Sequence, residues 1–216
     1  MNIVLLGGNG YIGRHLTEMW INKNNDIKIY TISRSGKNKF EHPNVINIKA
    51  DVNDFEKLKK LLPQEVDFII NLIGAPEKDE LKSREINDQP AEVMLKIAQI
   101  KKVKAMGMIG GKLGPKYFLN TKAKLINMLR ESEIPVVVVE PTLVYGGDRR
   151  DRLSKLVPLF NILGVFSKNI KPIRVEKVVK EMIEGLEINE TVQTFRGSRL
   201  RFTNFSDSKR PTSLEK

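Results

Sequence analysis

The hydrophobic residues of the chain follow two alternating patterns. Short apolar runs such as "NIVLLG" (2–7) are followed by longer segments in which apolar residues recur every three or four positions. The first pattern predicts strands buried on both faces, and the second predicts amphipathic helices. Predicted strands cover residues 2–7, 27–34, 44–51, 66–74, 105–111 and 135–146, and predicted helices cover 11–23, 54–62, 90–103 and 118–133.

Strands that alternate with helices predict an α/β fold, a doubly wound parallel sheet with helices on both faces. The pattern weakens after residue 146, although 172–186 predicts a short strand or turn followed by an amphipathic helix. We therefore expect one compact unit, with a core at 1–150 and a small substrate-side portion with a loose tail at 151–216.

Composition excludes several kinds of chemistry. The sequence has no cysteine and only two histidines, so disulfides, a cysteine nucleophile and a histidine-rich metal site are excluded, and we predict no metal. We find no signal peptide before the first predicted strand, and no apolar run approaches the roughly 18 residues of a membrane span. The expected location is the cytoplasm.

The formal net charge of +11 leaves two interpretations open. A basic chain can bind nucleic acid or an anionic membrane. Here the lysines recur along the whole chain, which is more typical of solvated surfaces and is also compatible with a phosphate-rich cofactor.

The glycine-rich segment "GGNGYIG" (7–13) lies between the first predicted strand and the first predicted helix. In that context the glycines allow a tight turn, a close backbone approach to a pyrophosphate and close helix packing. The helix N-terminus adds free N–H groups for the phosphates. The segment thus predicts a dinucleotide site that involves Gly7, Asn9, Gly10, Tyr11, Ile12 and Gly13.

The spacing Gly7-x-x-Gly10-x-x-Gly13 resembles that of the short-chain dehydrogenase/reductase superfamily, in its extended and atypical branches. These branches include NAD-dependent epimerases and dehydratases and small NAD(P)H-binding oxidoreductases. The resemblance extends to about residue 186 and implies a Rossmann-like domain that binds a nicotinamide dinucleotide.

The end of the second strand distinguishes NAD from NADP. It reads "TISRSGK", with Ser33 and Arg34 where NAD-binding proteins carry an acidic residue. A guanidinium pairs well with a 2′-phosphate. This favours NADP(H), while NAD(H) stays possible.

The resemblance implies further contacts along the cofactor. Asp51 would accept a hydrogen bond from the adenine amino group, and Val52 would line the adenine pocket. The remaining implied cofactor residues are Leu72, Ile73 and Gly74 after the fourth strand, and Pro141 and Leu143 after the sixth.

The catalytic residues match the superfamily only in part. In its Tyr-x-x-x-Lys pair, the lysine holds the nicotinamide ribose and lowers the pKa of the tyrosine, and the resemblance implies that Lys122 is this lysine. However, Phe118 stands four residues before Lys122, and Tyr117 stands five residues before it. One residue rotates a helical side chain by about 100°, so Tyr117 reaches the site only if the helix starts irregularly. The usual serine is also missing, since residues 105–116 contain neither serine nor threonine.

Three functions stay open at this point. The first is an atypical reductase that passes hydride to a flavin, a quinone or another unidentified small acceptor. The second is a non-catalytic NADP(H)-binding redox sensor or assembly factor, and the third, less favoured, is a nucleic-acid-binding protein. We expect a monomer or homodimer. Arg149, Arg150 and Arg152 either grip an anionic substrate or are solvated loop charges.

Overall fold

A computed structural model describes residues 1–38, 40–147 and 172–194. Six parallel strands form one sheet in the order β3-β2-β1-β4-β5-β6. This architecture confirms the predicted Rossmann-like α/β fold. The strands are β1 (Asn2–Leu6), β2 (Lys28–Ser33), β3 (Val45–Lys49), β4 (Phe68–Asn71), β5 (Ala105–Ile109) and β6 (Val136–Val139).

Helices cover both faces of the sheet and bury its two apolar surfaces. They are α1 (Tyr11–Lys23), α2 (Phe55–Leu61), α3 (Glu80–Ser83), α4 (Gln89–Lys101), α5 (Lys116–Arg130) and α6 (Val175–Thr194). Helices α2, α4 and α5 pack on one face, and α1 and α6 pack on the other. Within the described ranges, no helix combines the length and apolar character needed to cross a membrane.

The structure differs from the sequence predictions at two connections. The strand predicted at 135–146 ends at Val139, and β7 (Val144–Tyr145) pairs separately with β8 (Ile173–Arg174). Helix α3 continues into an unpredicted π-helical turn, Arg84–Asp88. Arg149, Arg150 and Arg152 and the predicted tail lie outside the described residues.

The strand order places the connections that carry the candidate residues at one edge. The strand order reverses between β1 and β4, because the chain runs outward from β1 to β3 and then crosses back to β4 beside β1. The loops that follow β1 and β4 therefore diverge around a crevice at their carboxyl ends. The glycine segment follows β1, and "LIG" (72–74) follows β4. The fold therefore gathers the predicted residues at the carboxyl edge of the sheet.

We predict that the sheet core dominates stability. Leu5 on β1 is completely buried, whereas Leu81 on α3 is 82% exposed. Leu5→Ala should lower the free energy of unfolding by about 2–5 kcal/mol, since it leaves a cavity among packed side chains. Leu81→Ala, the same chemical change at the surface, should alter it by less than about 0.5 kcal/mol. Urea denaturation measures both, and similar losses would contradict this view of the core.

Candidate functional site

The glycine loop leaves the N-terminus of α1 open to an anion. Gly10 is the N-cap residue, has extended backbone and supplies no side-chain cap. The first turn of α1 carries no acidic residue that could occupy this position. The N–H groups of the first turn and the positive end of the helix dipole therefore face the loop, and neither the cap nor the first turn supplies a carboxylate to neutralise them.

Close packing explains Gly13, whereas Gly10 has an open side. A Cβ at Gly13 would lie 2.3 Å from the Gly8 carbonyl oxygen, so any side chain there would push α1 away from the loop. Among the described residues, a Cβ at Gly10 would meet only the Gly7 carbonyl oxygen, at 3.2 Å, and Gly10 is exposed. The open side at Gly10 fits the approach of a pyrophosphate.

The loop after β2 is held by Asn9 and Ser33. The Asn9 Nδ2 donates to the Ser33 Oγ at 2.8 Å and to the Lys37 carbonyl oxygen, and the Gly36 N–H donates to the Ser33 Oγ at 3.0 Å. Arg34 is exposed and has no hydrogen-bond or ion-pair partner within the described part of the chain. Its guanidinium is therefore available to an external anion.

Asp51 and Val52 follow β3 with different exposures. The carboxylate of Asp51 is exposed and accepts the Asn53 N–H at 2.9 Å, while Val52 is buried. The Asn53 Nδ2 donates to the Glu85 carbonyl oxygen at 3.0 Å, and its Oδ1 is buried without a partner among the described residues. An apolar wall next to an exposed acceptor suits an adenine ring with its amino group.

Leu72, Ile73 and Gly74 leave β4 in a fixed conformation. The Leu72 N–H donates to the Leu6 carbonyl oxygen at 3.0 Å, and the Ile73 N–H donates to the Asn71 Oδ1 at 2.9 Å. These bonds hold the connection beside the end of β1, at the crevice edge.

Asn87 also supports this connection, although no sequence pattern predicts it. It lies in the π-helical turn, is 1% exposed, accepts the Ala75 N–H at 3.1 Å and donates to the Ala75 carbonyl oxygen at 3.0 Å. A helical turn with one extra residue leaves no periodicity signal, so the hydrophobic pattern could not reveal it.

Lys122 brings a buried amine to the same edge. It is 4% exposed, and its Nζ donates to the Ile73 carbonyl oxygen at 3.4 Å. A Cβ at Gly74 would lie 2.5 Å from that Nζ, so only glycine leaves room for the amine. Burial lowers the pKa of Lys122 to about 8. One long hydrogen bond leaves the remaining N–H groups available to a ligand.

Phe118, and not Tyr117, faces Lys122. The Lys122 Nζ lies 5.6 Å from the centre of the Phe118 ring, whereas Tyr117 is 37% exposed. Helix α5 begins at Lys116, so Tyr117 falls within a regular turn and is rotated away from Lys122. The predicted role of Tyr117 stays a prediction, and this exposure does not favour it.

The end of β5 carries two glycines where the superfamily has its serine. A Cβ at Gly110 would lie 2.9 Å from the Glu140 Cγ, so the Glu140 side chain lies over that glycine. Pro141 is buried and its carbonyl oxygen accepts the Lys112 N–H at 3.1 Å, and the Leu143 carbonyl oxygen accepts the Ile173 N–H at 2.9 Å. These two bonds hold the connection between β6 and β7.

Tyr11 links the glycine loop to β7. Its hydroxyl donates to the Gly146 carbonyl oxygen at 2.9 Å, and its ring meets His15 edge-on at 5.4 Å, while Ile12 is half-buried. Nearby, the Arg174 guanidinium donates two hydrogen bonds to Glu176, which holds the pKa of the Glu176 carboxyl below its usual range. Within the described ranges, no group of three potential metal ligands comes together.

The buried amine predicts a pH-dependent cost in stability. The pKa of Lys122 is about 8 instead of 10.5, so between these values the unfolded chain binds more protons and stability from this site increases with pH. Lys122→Met should therefore raise the free energy of unfolding at pH 7 by up to about 3 kcal/mol. That advantage should shrink as pH rises from 8 to 10.

Denaturation of wild type and variant at several pH values measures this difference. Lys124→Met is the control, because the Lys124 side chain is 74% exposed. A Lys122→Met difference that stays constant with pH would contradict the burial of a charged amine.

One family model matches the N-terminal part of the chain. Residues 3–103 match the NAD dependent epimerase/dehydratase family. A search of curated protein sequences finds no significant match.

Solved structures of the same fold include three informative neighbours. The Bordetella bronchiseptica enzyme WbmH, solved with NAD⁺, is 14% identical with a TM-score of 0.68, over 86% of this chain and 72% of that one. UDP-glucose 4-epimerase from Thermotoga maritima, solved with UDP-glucose, is 15% identical with a TM-score of 0.66, over 85% and 72%. dTDP-glucose 4,6-dehydratase from Bacillus anthracis, solved with NAD, is 16% identical with a TM-score of 0.63, over 89% and 71%.

At these identities the neighbours establish the fold, and the family match covers the glycine loop, the loop after β2 and the β4 connection. The chain therefore has the Rossmann-like fold of these solved enzymes, and residues 3–103 are similar to the NAD dependent epimerase/dehydratase family.

Proposed function

We propose that the chain binds NADP(H) and passes hydride to a small acceptor such as a flavin or a quinone. One observation carries this proposal. The open N-terminus of α1 and the buried amine of Lys122 lie at the same edge of the sheet, on the two sides of the point between β1 and β4 where the strand order reverses. One site receives a pyrophosphate, and the other offers N–H donors to ribose hydroxyls. Related enzymes solved with NAD support a nicotinamide dinucleotide.

The preference for NADP(H) rests on the loop after β2. Arg34 is an exposed cation, and Ser33 and Ser35 provide hydroxyls beside it. The strand end carries no carboxylate that would repel a 2′-phosphate. A guanidinium and hydroxyls are donors that a phosphate monoester accepts.

When bound, the dinucleotide supplies the hydride. In our proposal the residues of this chain hold and orient it. The first turn of α1 binds the pyrophosphate, Asp51 and Val52 bind the adenine, and Lys122 donates to the nicotinamide ribose. Phe118 next to Lys122 excludes water and provides no proton. Flavins and quinones suit such a site, because they accept hydride and can take their proton from solvent.

The alternative is a cofactor-binding sensor without turnover. Two observations favour it: Phe118 replaces the usual tyrosine, and Gly110 and Gly111 follow β5 where a serine is expected. Binding without any acceptor reaction would then be the whole activity. The two proposals share the cofactor site and differ only in the chemistry that follows.

We predict that Arg34 sets the cofactor preference. Arg34→Ala should weaken NADPH binding about tenfold, which corresponds to the loss of one charge-assisted contact, and should leave NADH binding nearly unchanged. Titration of nucleotide fluorescence measures both dissociation constants. Arg130→Ala, at the far end of α5, is the matched control. If wild type bound neither nucleotide, the proposed site would be wrong.

We also predict oxidation of bound NADPH by flavin or quinone acceptors. The absorbance of NADPH at a saturating concentration reports turnover as each acceptor is added. Lys122→Met should reduce this rate, because the ribose loses its amine donor, whereas Lys124→Met should not. Tight NADPH binding with no oxidation by any acceptor would favour the sensor.

A further inference from the structure

Asn9 connects the two parts of the proposed cofactor site. It lies in the glycine loop, and its Nδ2 donates to the Ser33 Oγ at 2.8 Å and to the Lys37 carbonyl oxygen. The backbone carbonyl oxygen of Asn9 accepts a hydrogen bond from the Arg14 guanidinium at 3.3 Å. A single amide group therefore joins the loop after β1 to the loop after β2.

The two acceptors of the Asn9 amide belong to residues on either side of Arg34, the cation that binds the 2′-phosphate in our proposal. Ser33 precedes Arg34 directly, and Lys37 follows it by three residues. Between these two points the chain turns back, and the Gly36 N–H closes the turn on the Ser33 Oγ at 3.0 Å. Asn9 thus holds both ends of the short segment that carries Arg34.

The bond to Lys37 requires one orientation of the Asn9 amide. The Lys37 carbonyl only accepts hydrogen bonds, so it requires the Nδ2 on its side. The Asn9 Oδ1 is buried without a partner among the described residues, so its desolvation opposes this arrangement. The side chain keeps this position because both donor bonds go to the segment around Arg34.

We propose that Asn9 is a specificity-determining positioning residue: it fixes the Ser33–Lys37 segment so that Arg34 meets a 2′-phosphate. The inference rests on the proposed NADP(H) function. Without Asn9 the segment would lose two anchors, and Arg34 would lose more entropy when it binds the phosphate. Contacts to the pyrophosphate come from the backbone of α1 and do not depend on the Asn9 amide.

The test is Asn9→Ala, with dissociation constants for NADPH, NADH and 2′-AMP. The preference for NADPH over NADH should fall about tenfold, and 2′-AMP should bind correspondingly more weakly. Asn44→Ala is the matched control. It removes a hydrogen bond from the Asn44 Nδ2 to the Asn25 carbonyl oxygen. This bond also joins two loops, those that precede β2 and β3, but it lies at the opposite edge of the sheet. It should leave the preference unchanged.

A double-mutant cycle separates positioning from general support of the loop. If Asn9 acts through Arg34, Asn9→Ala should change the preference much less in an Arg34→Ala background than in wild type. Equal losses for NADPH and NADH, or additive effects of the two changes, would overturn the inference while the proposed function stands. Failure of wild type to bind either nucleotide would overturn both.

Discussion

The close contact between the first turn of α1 and the glycine loop is the constraint on which the site depends. The Gly13 backbone lies so near the Gly8 carbonyl that a Cβ would approach it to 2.3 Å. This contact sets the distance between helix and sheet, and with it the position of the N–H groups that await an anion. The loop after β2, the β4 connection and Lys122 all take their places around that fixed end.

The burial of the Lys122 amine costs stability. Placing an amine among Phe118, Ile73 and Gly74 disfavours its charged form, and the protein retains it nonetheless. If position 122 had only a structural role, an apolar side chain there would make the folded protein more stable. In the proposed function, the N–H donors that Lys122 offers to a ribose are what offsets this cost.

The fold was predictable from sequence because its signals are local and repeated. Buried parallel strands read as apolar runs, and the glycine loop after β1 marks the crevice. The π-helical turn and the bonds of Asn87 were not predictable, since one extra residue in a helix leaves no hydrophobic pattern. The position of Phe118 against Lys122 followed from helical spacing. The contact of Tyr11 with Gly146 did not, because it joins residues 135 positions apart and depends on how the chain returns.

That long-range contact has a consequence for how the protein forms. Helix α1 packs against α6, with Lys23 and Glu187 paired across 164 positions, and Tyr11 reaches Gly146 at the mouth of the glycine loop. During synthesis, the first helix leaves the ribosome long before the helix that covers its apolar side. Trp20 and Leu16 pack against the sheet, with Trp20 stacked on Phe68, and the cluster that they form is complete only when α6 joins it. The apolar cluster that supports α1 is thus completed late, by a helix about 160 residues further along the chain, and this long-range packing should slow folding.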